Sequence, residues 1–544
     1  MRLVHRLAAM CAAIGLAATA FAHDGVKPGI DPGRAIDPGL GKLTHPVSTR
    51  NKQAQAFFDQ GLKLCYAFNH DGAIASFKRA AELDPQLAMA HWGIAYALGP
   101  NYNVPMSSEA HAAAYAAIQR ALALKAKASP AEQAYIDALS RRYSGKNDDD
   151  IGALNLAYKD AMADVLTRYP RDIDAVVLYA ESLMDLQPWK LWSPDGQPLG
   201  STPEIVRTLE RALKAQPKHL GANHYYIHAM EMSPTPEKAL PSARLLEKLA
   251  PSAGHLLHMP AHTYIRTGNY LDAARVNERA VLADERLRAA GVQSTYTVGY
   301  YGHNLHFLAV SYALAGNAGK SIANARKLAA LVEPQLKDLP FLDAFYATPS
   351  EVLVLFDRWD DVLALPEPPF EAPVSGALWH FARALALGGK GRLNEARAER
   401  DRFAAAAASV GKTTDVGLNT APAVFAVALP YLDGRLALLS NDAAGAVPFL
   451  REAASAEDAL NYDEPPAWYL GSNAMLGTAL LRFGDAAGAE QAFRADLRHN
   501  VGSGRSLFGL EAALRVQRKK AEADKVKKQF DKAWAGATIK LAAR

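Results

Sequence analysis

The sequence predicts an all-α protein that is built from repeated pairs of helices. From Asn51 onward the chain is rich in alanine, and its apolar residues recur with a helical period. Strand signals are sparse, and no alternating run is bounded by hairpin turns. In addition, distant segments share one spacing of glycine, alanine and phenylalanine, which indicates internal repeats. The chain therefore predicts one repetitive helical array rather than several separate globular domains.

The residues before this array predict an exported protein. Arg2 and Arg6 precede an uncharged apolar run over residues 7–20, and residues 20–22 (Ala-Phe-Ala) form a small-x-small cleavage motif. Together these features predict a secretory signal peptide over residues 1–22, with cleavage after Ala22 and a periplasmic or secreted location. Residues 23–50 are rich in glycine and proline without helical periodicity, so we expect an extended leader.

The repeat is clearest between residues 57 and 85, and its register recurs along the chain. The residues that carry it there are Phe57, Gly61, Ala73, Phe77, Ala80 and Pro85. The same register returns at Gly477, Gly484, Ala489 and Phe493, at Gly268, Ala273 and Ala280, and at Gly316 and Ser321. This pattern resembles the tetratricopeptide repeat (TPR), in which small residues at fixed places let the two helices of a pair pack closely.

The resemblance implies a right-handed α-solenoid of about eight or nine helix pairs over residues 51–535. We expect an N-terminal half over residues 51–283, a C-terminal half over 301–535 and a tail over 536–544. Members of this family are mostly binding scaffolds, and the first helix of each pair lines a concave groove. A peptide or protein partner in that groove is therefore expected.

Four connections are longer than the repeat requires. They span residues 99–111, 187–203, 284–300 and 366–374. Long loops of this kind either cover or enter the groove, or only decorate the surface. A further local signal, Ser129-Pro130-Ala131-Glu132, predicts a helix start with a capping box.

The 16 histidines are unevenly placed. In three successive repeats, seven of them and one glutamate fall at positions that the resemblance assigns to the groove. These residues are His224, His228, Glu231, His255, His258, His262, His303 and His306. Spacings of three and four residues put side chains on one helix face, and adjacent helices lie roughly 8–10 Å apart. We therefore predict a transition-metal site.

The donor types leave the metal open. Two histidines with a carboxylate suit non-haem iron, and three histidines suit zinc or copper. Tyr225, Tyr264, Arg266 and Tyr301 are expected to line the same groove and to bind ligand. The alternatives are a polar groove that takes an anionic or aromatic ligand without metal, and a purely structural role of the histidines in hydrogen bonding. A zinc protease is disfavoured, because Tyr225 stands where the H-E-x-x-H motif needs its glutamate.

Charge, apolar runs and cysteine content narrow the possible functions. The net charge is +4, from 60 basic and 56 acidic residues without a basic cluster, so nucleic-acid binding is not predicted. Residues 416–432 form an apolar stretch interrupted by Pro422 and Pro430, which we interpret as a buried helix rather than a membrane span. Two cysteines exclude a disulfide framework, and Cys65 is predicted to be a buried thiol.

Three functional hypotheses follow from these features. The first is an exported TPR-repeat binding protein whose groove carries a histidine-rich transition-metal site, for sensing, storage, delivery or partner binding. The second is a metalloenzyme that uses the same histidines to hold iron or copper, with oxidoreductase-like chemistry. The third is a metal-free scaffold for protein–protein interaction.

Overall fold

The computed structural model describes residues 26–146 and 150–541, so the predicted signal peptide lies outside the described residues. The described chain holds 26 α-helices and one short hairpin of β1 (Asp415–Val416) and β2 (Asn419–Thr420). The expectation of an all-α protein of TPR-like helix pairs is confirmed. The hairpin is a small departure from it, placed in a connection between two helices.

The chain divides into two compact units. Unit 1 comprises the described residues up to Thr263 together with Glu278–Tyr301. Unit 2 comprises Tyr264–Asn277 and the described residues from Gly302 onward. Three helices contribute residues to both units, namely α12 (Pro260–Arg266), α13 (Tyr270–Ala289) and α14 (Thr295–Leu314).

The remaining helices of unit 1 account for most of its residues. They are α1 (Lys52–Cys65), α2 (His70–Leu83), α3 (Ala88–Ala97), α4 (Ser108–Leu124), α5 (Pro130–Ser140), α6 (Ile151–Arg168), α7 (Ile173–Met184), α8 (Thr202–Ala215), α9 (Leu220–Glu231), α10 (Leu240–Leu249) and α11 (Gly254–His258).

Unit 2 has the same character. Its remaining helices are α15 (Ala318–Val332), α16 (Asp343–Tyr346), α17 (Thr348–Leu355), α18 (Trp359–Leu363), α19 (Pro373–Gly389), α20 (Leu393–Ser409), α21 (Ala421–Leu439), α22 (Ala443–Asp458), α23 (Ser472–Phe483), α24 (Ala486–His499), α25 (Gly504–Val516) and α26 (Lys520–Ala533).

Side-chain caps fix where many of these helices begin. Asn51 caps α1 by accepting hydrogen bonds from the backbone amides of Gln53 and Ala54. Ser129 and Glu132 form the predicted capping box at the start of α5, which is confirmed. Such caps satisfy amide groups that have no partner within the helix, and each is worth about 1 kcal/mol.

Close packing at glycine joins the helices as the TPR pattern requires. In unit 1, a Cβ atom on Gly61 or Gly93 would stand 2.6 or 2.5 Å from the ring of Phe77, so the ring fits only against glycine. In unit 2, Phe493 fits in the same way against Gly477 and Gly509, where the distances would be 2.8 and 2.2 Å. The repeat signature in the sequence is thus a packing rule for both units.

The first helices of successive pairs form a layer within each unit. In unit 1, α1 packs against α3, α3 against α5, and α7 against α9, in addition to the contacts within each pair. In unit 2, α19, α21, α23 and α25 contact one another in the same order. Helix α9 therefore belongs to this layer of first helices in unit 1.

The apolar stretch that the sequence predicts as a buried helix over residues 416–432 begins its helix later in the structure. It is helical only from Ala421, because residues 415–420 form the hairpin, and the helix continues to Leu439. In the described residues, α21 alone is long and apolar enough to cross a membrane by length and composition, but half of that window is buried in the protein. Val424, Val427 and Ala428 lie in the core, as the buried-helix interpretation expects.

Candidate metal centre

Helix α9 carries the first part of the candidate site. His224, His228 and Glu231 follow one another at spacings of four and three residues, so a single face of α9 presents all three. Every residue of this helix is buried, and the three side chains are at most 1% exposed. Buried polar groups are normally hydrogen-bonded. The contacts of these three side chains therefore show which of their atoms are available to bind a ligand.

His255 of α11 joins the two histidines of α9. Its Nε2 atom lies 3.1 Å from Nε2 of His224. One ring nitrogen from each of His224, His228 and His255 can be chosen so that all three lie within 4.8 Å of one another. The structure therefore brings together three predicted ligands from two helices.

Oxygen acceptors fix which nitrogen of each α9 imidazole carries the proton. Nδ1 of His224 lies 2.7 Å from the backbone carbonyl of Tyr66, and Nδ1 of His228 lies 3.0 Å from Oε1 of Glu231. A carbonyl or carboxylate oxygen only accepts, so Nδ1 donates in both rings. The lone pair of each neutral imidazole is then on Nε2, the usual arrangement of a histidine ligand with a second partner.

Glu231 also reaches a second pair of histidines. Its other oxygen, Oε2, lies 2.9 Å from Nδ1 of His262. Nε2 of His262 lies 2.7 Å from Nε2 of His258. Burial raises the pKa of Glu231, but the neighbouring His228 and His262 outweigh that effect and leave the pKa below its ordinary value. The ionised carboxylate of Glu231 thus contacts His228, which belongs to the first group of histidines, and His262, which belongs to the second pair.

Burial prepares the three central imidazoles to act as ligands. It lowers the pKa of His224, His228 and His255 below the ordinary value of 6.5, and the neighbouring histidines lower the pKa of each further. For His228, the charge of Glu231 opposes that shift without reversing it. Because a metal ion binds the neutral ring, these imidazoles need not lose a proton at neutral pH.

An aromatic shell covers the site. Phe68 lies over all three imidazoles, with ring centroids 4.5 Å from His224, 5.8 Å from His228 and 5.3 Å from His255. Its φ angle is +54°, in the left-handed region that residues other than glycine rarely adopt. Such strain persists where packing holds it, and here it places the ring on the site.

Two of the long connections complete this shell. Tyr102, from residues 99–111, has its ring 5.0 Å from His228, and Trp189, from residues 187–203, has its ring 5.8 Å from the same imidazole. Tyr300 packs 4.6 Å from His255. Of the two alternatives for these loops, cover of the groove and decoration of the surface, the ring contacts with His228 favour cover, and His224, His228 and His255 are enclosed rather than open to a groove.

The other two predicted histidine ligands belong to unit 2. The ring of His303 packs against Phe307 at 5.4 Å, and that of His306 packs against Phe345 at 5.1 Å. Burial lowers the pKa of His306 to about 4. Within their own unit, each of these two imidazoles thus contacts an aromatic ring.

The residues predicted to line the groove are distributed over both units. Tyr225 is buried beside His224, with its hydroxyl 3.2 Å from Glu181. Tyr301 instead donates to Glu285 at 3.1 Å, so its neighbour Tyr300 is the tyrosine at the candidate site. Tyr264 and Arg266 lie in unit 2, where the Arg266 guanidinium stands 5.6 Å from the ring of Tyr462.

Sequence reasoning missed a buried charged layer next to the site. Glu181 accepts hydrogen bonds from Tyr225 and Tyr96, and Arg142 pairs with Asp185 at 2.7 Å. Burial raises the pKa of Glu181. The predicted buried thiol Cys65 lies in the same region, with its pKa well above the ordinary value because of burial. These residues lie far apart in the chain, so no local pattern signalled them.

A second missed cluster fastens the leader to unit 1. Nδ1 of His45 donates to Asp174 Oδ2 at 2.8 Å, while His219 and Tyr66 contact the other oxygen of Asp174 at 3.0 and 2.6 Å. Burial lowers the pKa of His45, but Asp174, Asp172 and Asp59 outweigh it and raise the pKa overall. Burial likewise raises the pKa of Asp174, but its two histidine partners bring it well below the ordinary value.

These shifts predict that leader docking depends on pH. The raised pKa of His45 contributes stability that is complete below pH 6.5 and is lost as the pH rises through the folded value. The lowered pKa of Asp174 contributes stability that is complete above pH 3.8 and is lost as the pH falls through its folded value. Hydrogen exchange of residues 42–50 should therefore be slowest, after correction for intrinsic rates, between these two pH values.

The His45→Gln variant checks this assignment. Its leader should exchange hydrogen faster than that of the wild type near pH 5. It should not show the further increase in exchange rate that the wild type shows above pH 6.5. The matched control is Ser48→Ala, which removes another contact of the leader, the hydrogen bond to Glu132, without removing a titrating group. An unchanged pH profile in His45→Gln would show that other groups control docking.

Comparison with known proteins adds no closer identification. No protein-family model matches the chain, and no curated protein matches it. Among solved structures, the P58(IPK) TPR domain has a TM-score of 0.20 at 13% identity, with 86% of this chain and 99% of that chain covered. Human IFIT1, solved as a dimer with m7Gppp-AAAA, has a TM-score of 0.29 at 12% identity, with 90% and 91% covered.

Yeast Tom70 is a further similar structure. Its TM-score is 0.29 at 13% sequence identity, with 88% of this chain and 92% of that chain covered. The class of this protein rests on its own packing: TPR-like helix pairs, with a buried cluster of histidines and one glutamate in unit 1.

Proposed function

We propose that this chain is an exported TPR-type binding protein that holds a transition-metal ion between His224, His228 and His255. One observation carries the proposal: three buried imidazoles converge, and oxygen acceptors hold the Nδ1 protons of two of them so that Nε2 is available. Nitrogen ligands around a tetrahedral ion lie roughly 3.3 Å apart. The 3.1 Å between Nε2 of His224 and Nε2 of His255 is close to this spacing.

The donor set favours zinc or copper over iron. An iron site of the two-histidine, one-carboxylate type needs a carboxylate oxygen among the ligands. Both oxygens of Glu231 instead face Nδ1 atoms, those of His228 and His262. Three neutral imidazoles remain, which suit zinc or copper. An all-imidazole site also suits an exported protein, since imidazoles do not form disulfides as thiolates do.

Enclosure of the site favours retention of the ion over rapid turnover of a substrate. Phe68, Tyr102 and Trp189 cover the imidazoles, and His224, His228 and His255 are at most 1% exposed to solvent. Storage, sensing or delivery through a change in this cover fits such a site better than catalysis at an open coordination position. Binding of a peptide or protein partner by the helix pairs is compatible with this role.

Metal analysis of protein purified without a histidine tag tests the proposal. After loading with Zn²⁺ or Cu²⁺ and dialysis, the wild type should retain at least one tightly bound ion per chain. A variant with His224, His228 and His255 all changed to alanine should lose that ion. The matched control is His91→Ala, which alters a half-buried histidine of α3. Near-UV circular dichroism reports whether each variant keeps its tertiary packing.

Two results would reject this function. One is a wild type that retains no ion after dialysis against a weak chelator. The other is a folded triple variant that retains as much metal as the wild type and the His91→Ala control.

A further inference from the structure

We propose that the centre holds two ions rather than one, with the second ion between His258 and His262. This inference rests on the proposed function and extends it. Nε2 of His258 and Nε2 of His262 lie 2.7 Å apart, with the rings nearly perpendicular at 79°. Opening this pair by roughly half an ångström would bring the two nitrogens to the spacing of ligands on one ion.

The contact of His262 with Glu231 prepares its ring in the same way as that of His228. Glu231 Oε2 lies 2.9 Å from Nδ1 of His262, and its negative charge at this distance favours a proton on Nδ1, which leaves the lone pair on Nε2. His228 has the same relation to Oε1 at 3.0 Å. Glu231 therefore holds one ligand of each group in its metal-binding tautomer, and its negative charge stabilises both ions.

The two groups are adjacent but distinct. The ring centroids of His255 and His258 lie 5.8 Å apart, and those of His228 and His262 lie 5.9 Å apart. Within the first group the ring centroids lie 4.8 Å apart for His224 and His255 but 6.2 Å apart for His228 and His255, and those of His258 and His262 lie 4.7 Å apart. The groups are therefore distinguished by their closest nitrogen pairs, 3.1 Å in the first and 2.7 Å in the second. Five imidazoles exceed the needs of one tetrahedral ion, which takes four ligands.

Besides the small opening of this pair, binding of the second ion requires a shift of one proton within the ring of His258. The lone pair of His262 Nε2 faces His258 Nε2, so His258 donates the hydrogen of this contact. To become a ligand, neutral His258 transfers that proton to its own Nδ1 through solvent exchange, and Nε2 then binds the ion. The reaction is ligand binding without change of oxidation state, and solvent or other groups complete the coordination.

Copper(II) loading tests this inference. The wild type, saturated with Cu²⁺ and freed of excess ion, should hold two Cu²⁺ per chain by elemental analysis. Its electron paramagnetic resonance signal should be weaker or broader than expected for two isolated ions, because neighbouring Cu²⁺ ions couple. The His258→Ala/His262→Gln variant should hold one Cu²⁺ with the signal of an isolated ion.

Controls separate failure of this inference from failure of the proposed function. His91→Ala should keep two coupled ions, and the His224→Ala/His228→Ala/His255→Ala variant should keep the second ion alone. One Cu²⁺ in the wild type, unchanged in His258→Ala/His262→Gln, would overturn the two-ion centre and leave the proposed function standing. Loss of all copper in a folded His258→Ala/His262→Gln variant would also overturn it, since that result indicates one shared site. No copper in the wild type would overturn both proposals.

Discussion

Replacing Glu231 by glutamine is expected to weaken metal binding by about 10–100-fold, the usual effect of removing a carboxylate that orients a histidine ligand. The carboxylate accepts from Nδ1 of His228 and faces Nδ1 of His262. Glutamine offers one acceptor oxygen and one NH₂ donor in place of the two oxygens. One imidazole must therefore turn or change tautomer, and that change removes its Nε2 lone pair from the ion.

Competition with a chromophoric chelator measures this loss of affinity. The matched control is Glu210→Gln, which makes the same chemical change at an exposed glutamate that accepts from Tyr226 of α9. That variant should bind metal as the wild type does. Equal affinity in Glu231→Gln and the wild type would show that Glu231 plays no part in orienting the ligands.

Replacing Arg142 by methionine is expected to lower the free energy of unfolding by about 3–5 kcal/mol, the cost of leaving one partner of a buried ion pair uncompensated. Arg142 is fully buried, and its Nη2 atom lies 2.7 Å from Asp185 Oδ2. Its guanidinium also lies over the ring of Tyr158, 4.0 Å from the centroid. Methionine fills the space but leaves the Asp185 carboxyl buried without its cation.

A double variant distinguishes the charge effect from a packing defect. In Arg142→Met/Asp185→Leu both charges are absent, and replacing both members of a buried pair by apolar residues is often close to neutral. We therefore expect the double variant to recover most of the lost stability in urea unfolding followed by far-ultraviolet circular dichroism. If the single variant lies within about 1 kcal/mol of the wild type, the pair does not stabilise the fold as its burial indicates.

Local spacing explains why part of the candidate site was predictable. His224, His228 and Glu231 lie on one helix, where spacings of three and four residues decide which side chains share a face. His255, His258 and His262 follow a similar spacing across α11 and α12. The repeat register, which depends on glycines such as Gly61 and Gly477, predicted that these segments belong to the first helices of their pairs.

Other features depend on contacts between distant parts of the chain. The carbonyl of Tyr66 orients His224 across 158 residues, and the backbone comes this close because Gly221 has no Cβ atom to meet the Tyr66 ring. Phe68 covers the site because its backbone is in the left-handed region. Residues other than glycine rarely adopt this conformation, so nothing in the sequence indicated it. Tyr300 rather than Tyr301 contacts the site, because adjacent residues of a helix point in different directions: Tyr300 packs on His255, whereas Tyr301 donates to Glu285.

The sequence by itself determined the helix pairs, their register and the shared face of His224, His228 and Glu231, because these follow from periodicity within about two helical turns. The tertiary structure alone decided that the imidazoles are enclosed, which proton each α9 imidazole keeps, and which carboxylates lie beside them. It also assigned His303 and His306 to the other unit. The physical reason is that burial and hydrogen-bond partners arise from long-range packing, for which the local pattern holds no information.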